Sequence, residues 1–323
     1  MKILFYGFRH SHIDGLFQLT KHNARVEIAA CLEEDDEARK SAEERLGVQF
    51  DTAPYDTWLQ TDIDVVAIGG RYGDRGPAII KALKAGKHII ADKPICTKLE
   101  EYEEIVKLAK EKNLKIACMF DLRYMPSARA AKTLFESGEM GEVRNISFTG
   151  QHYLNYGNRP MWYFEKGMHG GTLNDLAIHG VDLITHLTGL CMAEVNAARC
   201  WNAYATKEKD FKDCATYMAT LENGAGVLAD ISYSAPPLVY ATDIYWNFKF
   251  WCDNGLVTFN WKEPNVTIYK LGESEPKILE GIKDGKNFLD DLLDEIETNG
   301  DNMTQGVLCT TKQTLILQSK AEQ

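Results

Sequence analysis

The strongest constraint on the fold is an alternation in the first third of the chain. Short β-branched runs at residues 2–6, 26–32, 64–68, 88–91 and 115–119 are separated by amphipathic stretches, among them 36–46, 77–85 and 99–111. Strands that alternate with helices in this way predict an open, doubly wound parallel sheet with helices on both faces. From about Asp121 the pattern changes. Two helical stretches, 127–137 and 172–187, are joined by strand candidates at 143–153, 193–204, 214–221, 225–234, 244–252, 256–260 and 266–271. Turn signals such as Glu222-Asn223-Gly224 and Asp253-Asn254-Gly255 separate the later runs, and a large, mostly antiparallel open sheet follows. A last helical stretch covers 304–319. The expected organisation is an α/β protein, with a Rossmann domain over 1–121 and an α+β domain over 122–323.

With 323 residues and 45% hydrophobic content, the chain can build a core in each domain. A formal charge of -11 and no basic stripe exclude nucleic-acid binding as a main activity. The opening Met-Lys-Ile-Leu-Phe-Tyr-Gly lacks the long apolar stretch of a signal peptide, and no run is long and apolar enough to span a membrane, so a cytoplasmic protein is expected. The eight cysteines are scattered without a Cys-x-x-Cys, which predicts reduced core thiols.

The helical stretch 172–187 carries a polar stripe on an otherwise apolar surface. At 100° per residue, Asp175, His179, Asp182 and His186 fall within roughly 60° of one another. Such a stripe on a buried helix is costly unless it meets partners or lines a cleft, so it is expected to form one wall of an active site. His179 titrates near neutrality and suits acid–base work. The four could instead ligate a metal, since i,i+4 spacing permits it, but no outside ligand stands out and no metal is expected.

The first strand runs into Gly7-Phe8-Arg9-His10-Ser11-His12, where a dinucleotide fold wants three glycines. Only Gly7 stands. Arg9 is expected to reach the pyrophosphate directly. Glu33, in an acidic run at the end of the second strand, is placed to meet the adenosine ribose, and the surrounding charge disfavours a 2′-phosphate. NAD is therefore expected over NADP. The small residues Gly69 and Gly70, ahead of Arg71, suit close approach of a cofactor.

Lys93 lies in Ala91-Asp92-Lys93-Pro94, at the carboxyl end of a strand where open α/β folds bind ligands. The bland alternative is an exposed lysine before a turn proline. This turn, with Ala85-Gly86-Lys87-His88, Gly138-Glu-Met-Gly141-Glu-Val143 and the Gly170-Gly171…Asp175…His179 segment, resembles the Gfo/Idh/MocA family of nicotinamide-dependent oxidoreductases. The resemblance implies that Asp92, Lys93 and Pro94 border the cofactor. It also implies that Lys93 and His179 both touch the reacting hydroxyl and that Asp175 holds the histidine or another hydroxyl. Which of Lys93 and His179 is the base stays open. By the same resemblance Arg123 and Tyr124 are substrate-side candidates. The loop with His152, Tyr153, Trp162 and Lys166 has the aromatic and polar mix that suits a polyhydroxylated substrate.

These readings imply an NAD-dependent oxidoreductase acting on a sugar, cyclitol or related hydroxy compound. Two others compete: redox-assisted glycoside cleavage with tightly held NAD, and a non-catalytic ligand-binding homologue whose nucleotide site is degenerate. The run 242–252 has large side chains on both faces, so Tyr245, Phe248 and Phe250, or Trp246 and Trp251, are expected outside and covered by a partner subunit. A homodimer or homotetramer through the second domain's sheet is expected.

Overall fold

The structure, a computed structural model, describes all 323 residues, Met1–Gln323, and the chain divides into two compact units. The first comprises Met1–Met119, Gly167–Gly170 and Asn287–Leu308; the second comprises Phe120–Lys166, Gly171–Lys286 and Cys309–Gln323. No helix is long and apolar enough to cross a membrane.

The first unit is built on β1 (Lys2–Tyr6), β2 (Glu27–Leu32), β3 (Val65–Ile68), β4 (His88–Ala91) and β5 (Ile116–Cys118). All pair in parallel, in the order β2-β1-β3-β4-β5. The central strands are apolar throughout: Ile3, Leu4, Phe5, Val66, Ala67, Ile89 and Ile90 have no exposed surface. Strands covered on both faces need such runs. Between them lie α1 (His12–Lys21), α2 (Asp36–Leu46), α3 (Tyr55–Trp58), α4 (Tyr72–Lys84) and α5 (Leu99–Lys112). Helix α4 begins five residues ahead of Pro77, because Tyr72, Gly73, Arg75 and Gly76 are drawn into the buried helix face. The β1, β3 and β4 carboxyl ends bring the Gly7 turn, Gly69-Gly70 and Asp92-Lys93-Pro94 to one edge of the sheet.

The second unit contains α6 (Pro126–Glu136), β6 (Val143–Gln151), α7 (Ile178–Thr188), β7 (Met192–Trp201), β8 (Cys214–Leu221) and β9 (Gly226–Ser232). It continues through β10 (Phe248–Cys252), β11 (Gly255–Phe259), β12 (Val266–Lys270) and β13 (Lys277–Leu279). The eight strands order as β13-β12-β11-β10-β6-β9-β8-β7, antiparallel except for the β6/β9 pair. Two helices close the chain. The first, α8 (Phe288–Thr298), has Leu289, Leu292 and Leu293 on its buried face and is capped by Asn287; α9 runs over Asn302–Ala321. The expected strands omit β13, and the expected helices omit α8.

Burial alternates along β8, β9 and β10, as a sheet with one covered face requires. Helix α7 lies on β6 so closely that a Cβ at Gly180 would overlap the Phe148 ring. The run 242–252 departs from expectation. Only Phe248–Cys252 is strand, and Trp246 sits ahead of it at a φ of 45°. Trp246, Phe248 and Phe250 all point inward and are buried, as is Tyr245, and Phe248 stacks on Phe148 and Phe259. From this run of aromatics only Trp251 stays outside. The open face is instead a band of Met218, Leu228, Trp251, Tyr269 and Ile278, each between 47% and 58% exposed.

Candidate active site

In the first unit the polar residues gather around one carboxylate. Asp92 is fully buried at the end of β4. His10 Nδ1 lies 2.6 Å from its Oδ2 and His12 Nδ1 3.2 Å from its Oδ1. Arg75 Nη2 donates to Oδ2 at 2.7 Å, and the Lys93 amide donates to Oδ1 at 2.8 Å. Burial alone would raise the Asp92 carboxyl, but the Arg75 guanidinium and the hydrogen bond with His10 outweigh it and hold the group well below the ordinary carboxylate range. Burial also lowers His10, to about 4, so the imidazole is neutral. With Nδ1–H donated to Asp92, Nε2 is left to accept from the Tyr72 hydroxyl 3.3 Å away.

Arg75 has no exposed surface. Besides Asp92 its guanidinium donates to the carbonyls of Gly70, Lys93 and Pro94, so one side chain ties the β3 turn to the β4 turn. Lys93 is 3% exposed, with its ammonium 5.9 Å from the centre of the Tyr72 ring. It is not the exposed lysine of the bland alternative.

The glycine turn keeps its close-approach geometry. Gly7 has φ +85°, and a Cβ there would come within 2.6 Å of the Gly70 nitrogen. Only glycine fits both constraints. Ser11 caps α1 without a side-chain hydrogen bond and is exposed, as is His12. A backbone turn opening onto a helix N-terminus fits the diphosphate of a dinucleotide. Glu33 is buried and accepts from the amides of Phe8 at 2.6 Å and Asp35 at 3.0 Å, so the carboxylate expected at the ribose holds the turn. Arg9 lies 3.0 Å from Asp35 and 3.9 Å from Glu33, over the acidic run rather than the turn. Arg71 pairs with Asp74 at 2.6 Å.

In the second unit the expected stripe divides. Residues Leu173–Ala177 form a π-turn, wider than the α-helix assumed from spacing, before α7 begins. Asp182 is fully buried, held bidentately by Arg123, with Nε donating at 2.7 Å, and by the Thr310 hydroxyl at 3.1 Å. Burial, reinforced by the positive charge of Arg123, Lys132 and Arg129, lowers His186 to about 3. Asp182 and His186 thus belong to the packing of α7, and Arg123 spends its guanidinium there. The four stripe residues do not gather as ligands. His10, His12 and Asp92 have ligand atoms within 4.8 Å of one another, but Arg75 already occupies the carboxylate.

Asp175 and His179 face a different environment. Asp175 is 1% exposed and accepts from the Tyr233 hydroxyl. His179 meets the Trp246 indole edge-on, ring centres 5.4 Å apart. His152 also lies 5.4 Å from that indole, with its Nε2 3.3 Å from the Tyr245 hydroxyl. Tyr240 completes the group, its hydroxyl taking the Tyr153 amide. Of the aromatics in the 153–163 loop, Tyr153 joins this group through its amide, Trp162 and Tyr163 are buried on each other, and Tyr156 pairs with Glu208. Tyr124 is half-buried, and Lys166 is exposed. The sequence reading missed Arg75, Tyr233 and Trp246 as site residues. Trp246 had a signal, a bulky residue in a run of aromatics, but it was read as a strand face.

The comparisons agree with this architecture. Residues 7–120 match the model of the oxidoreductase family with an NAD-binding Rossmann fold, and residues 128–257 match the GFO/IDH/MocA C-terminal domain. Levoglucosan dehydrogenase of Pseudarthrobacter phenanthrenivorans is 31% identical over 163 residues, 49% of this chain and 41% of that protein. The scyllo-inositol 2-dehydrogenase (NAD(+)) of Bacillus subtilis is 28% identical over 203 residues, 62% of this chain and 56% of that protein. The chain thus spans about half the length of these relatives. A solved aldose-aldose oxidoreductase from Caulobacter crescentus, complexed with glycerol, superposes with a TM-score of 0.83 at 17% identity. That match covers 100% of this chain and 97% of the other, and it speaks to fold alone.

Proposed function

The chain belongs to the GFO/IDH/MocA oxidoreductase family, and from that premise we propose that it is a dehydrogenase that moves hydride between NAD and a hydroxyl carbon of a sugar, cyclitol or related polyhydroxy compound. The observation that carries the reading is Lys93, a buried lysine at the carboxyl edge of a parallel sheet, pinned through its own backbone by Arg75 and Asp92. Lysine is seldom buried without a task or a partner.

The Gly7 turn, the α1 N-terminus, Gly69-Gly70 and Glu33 would hold the cofactor. Hydride transfer is the chemistry that NAD supplies when bound. The chain's part is to hold the hydroxyl and move its proton, and for this we assign Lys93 and His179. Asp175, fixed by Tyr233, orients. Tyr240, exposed beside His152 and packed on the buried Tyr245, offers an aromatic face of the kind a sugar ring stacks on. NAD is preferred over NADP because Glu33, Glu34, Asp35 and Asp36 repel a 2′-phosphate.

The test is a panel of polyols assayed by NAD reduction, with Lys93→Met and His179→Ala alongside the parent. Each variant should lower turnover by roughly 10²–10⁴-fold while leaving NAD affinity nearly unchanged. Full activity in Lys93→Met, with His179→Ala only lowering the melting temperature, would end the catalytic reading. A protein that carries NAD through purification and never reduces added NAD would favour redox-assisted glycoside cleavage.

The open sheet face supports a homo-oligomer. A band of five large apolar side chains on one exposed face is more than a solitary subunit ordinarily leaves in water. Light scattering at micromolar concentration should give a dimer or tetramer, and Leu228→Glu with Trp251→Glu should shift it toward monomer.

A further inference from the structure

Two of the eight cysteines lie against each other outside everything described so far. Cys191, just ahead of β7, and Cys309, in α9, have their Sγ atoms 2.7 Å apart, and both side chains are half-buried. A disulfide bond is about 2.0 Å long, so little movement separates the two thiols from bonding. The neighbourhood gives that bond a consequence. From Cys309 onward, α9 is the backing of α7: Thr310 donates to Asp182, Gln313 to Thr185, and Thr314 to Asn174, while the Leu173 amide donates to Gln318. These four contacts run along the π-turn and helix that carry Asp175 and His179. Gln313 also accepts from the Met192 amide at 2.6 Å and donates to Cys309, so the same side chain already joins α9 to the start of β7.

We propose that Cys191 and Cys309 form a reversible disulfide, a modification site that takes a low-molecular-weight disulfide as oxidant and fastens α9 to β7 behind the His179 helix. In the first step the Cys191 thiolate attacks one sulfur of the small disulfide, forms a mixed disulfide and releases one small thiolate. The Cys309 sulfur then gives up its proton and attacks Cys191 Sγ. The protein S–S bond forms and the second small thiolate leaves. Two protein thiols are oxidised, one small disulfide is reduced to two thiols, and the two protein protons end on those leaving groups. Burial and the neighbouring thiol push Cys309 up, so little thiolate forms there at neutral pH.

Glutathione disulfide is the probe. Incubation of the whole protein should remove two of the eight free thiols, and non-reducing peptide mapping should find Cys191 joined to Cys309. The melting temperature should rise by roughly 5–10 °C, because a long loop is closed, and dithiothreitol should reverse it. Cys309→Ser should abolish both changes. Should that variant fail to fold, Cys191→Ser, outside the strand, gives the same readout. Absence of the crosslink, a crosslink to Cys200 or Cys214, or two thiols still lost in either variant overturns the proposal. A crosslinked protein with an unchanged melting temperature overturns the fastening.

Discussion

The Asp92 carboxylate takes two imidazoles, a guanidinium and the Lys93 amide, whereas Asp175 takes a phenol and His179 lies edge-on to an indole. The two regions solve the same problem, a buried carboxylate beside a proposed proton-transfer group, by opposite means. Around Asp92 the charges cancel inside the protein, and the cluster fixes backbone: Arg75 alone holds the carbonyls of Gly70, Lys93 and Pro94. Around Asp175 and His179 aromatic side chains stand close, the Tyr233 phenol on the carboxylate and the Trp246 indole on the imidazole. The first arrangement suits a residue that must always be presented the same way. The second suits a place where a ligand's hydroxyls and ring face complete the environment.

Removing one charge should separate the two most strongly. Asp92→Asn leaves the Arg75 guanidinium buried without its counter-charge, and breaking a buried pair in this way costs roughly 3–5 kcal/mol. Asp175→Asn keeps a side-chain oxygen that can still accept from the Tyr233 hydroxyl, and a smaller cost of about 1–3 kcal/mol is expected. Urea unfolding of both variants measures the difference. Equal losses would mean that the aromatic region is held by charge after all. Turnover should fall in Asp175→Asn by less than in His179→Ala, because an orienting carboxylate is not itself a proton donor.

The acid limb of stability should distinguish the regions next. His10 ionises at about 4 in the fold against an ordinary value of 6.5. Between those values the unfolded chain binds the proton and the folded one does not, so stability is fully present above 6.5 and declines as pH falls toward 4. The shift corresponds to a few kcal/mol at most, on the order of 1.4 per pH unit. His186, lowered to about 3 beside Arg123, Lys132 and Arg129, acts in the same direction. The melting temperature of His10→Gln should therefore fall less between pH 7 and about 4.5 than that of the parent. A parallel decline would show that the Asp92 cluster does not exclude the proton.

The parallel sheet was legible because its strands are buried on both faces and leave unbroken apolar runs. The Lys93 turn was legible because its residues are contiguous. What escaped was contact across long separations: Arg75 meets Asp92 from 17 residues away, and Tyr233 meets Asp175 from 58. No local pattern announces either. The polar stripe on α7 was visible, but its division was not, because the π-turn breaks the 100° step and Asp182 finds Arg123, 59 residues earlier. Trp246 was misassigned for a related reason, since a left-handed φ ahead of β10 turns it inward with Phe248 and Phe250. The π-turn matters for function as well as for prediction, because it sets Asp175 toward β9 while the helix after it packs on α6.

Arg9 gives the smallest effect and tests the edge of the charged region. The pyrophosphate role expected from its place in the turn requires the guanidinium to swing away from Asp35, where it lies 3.0 Å off. Where it now lies, it neutralises part of the acidic run at the end of β2, beside Glu33. Removing it exposes that run to whatever the adenosine ribose carries. Arg9→Ala should then weaken NADP more than NAD, and the ratio of NAD to NADP affinity should rise by several-fold, the scale of one partly exposed ion pair at up to about 1 kcal/mol. Added salt should shrink the difference, since screening acts on exposed charges. Fluorescence titration of both cofactors against parent and variant decides it. If both affinities fall by one common factor, Arg9 serves the diphosphate that NAD and NADP share, and the turn has replaced its missing glycine with a charge. If the two fall unequally, specificity is set where β2 ends, by a residue that the glycine motif alone would have assigned to the phosphates.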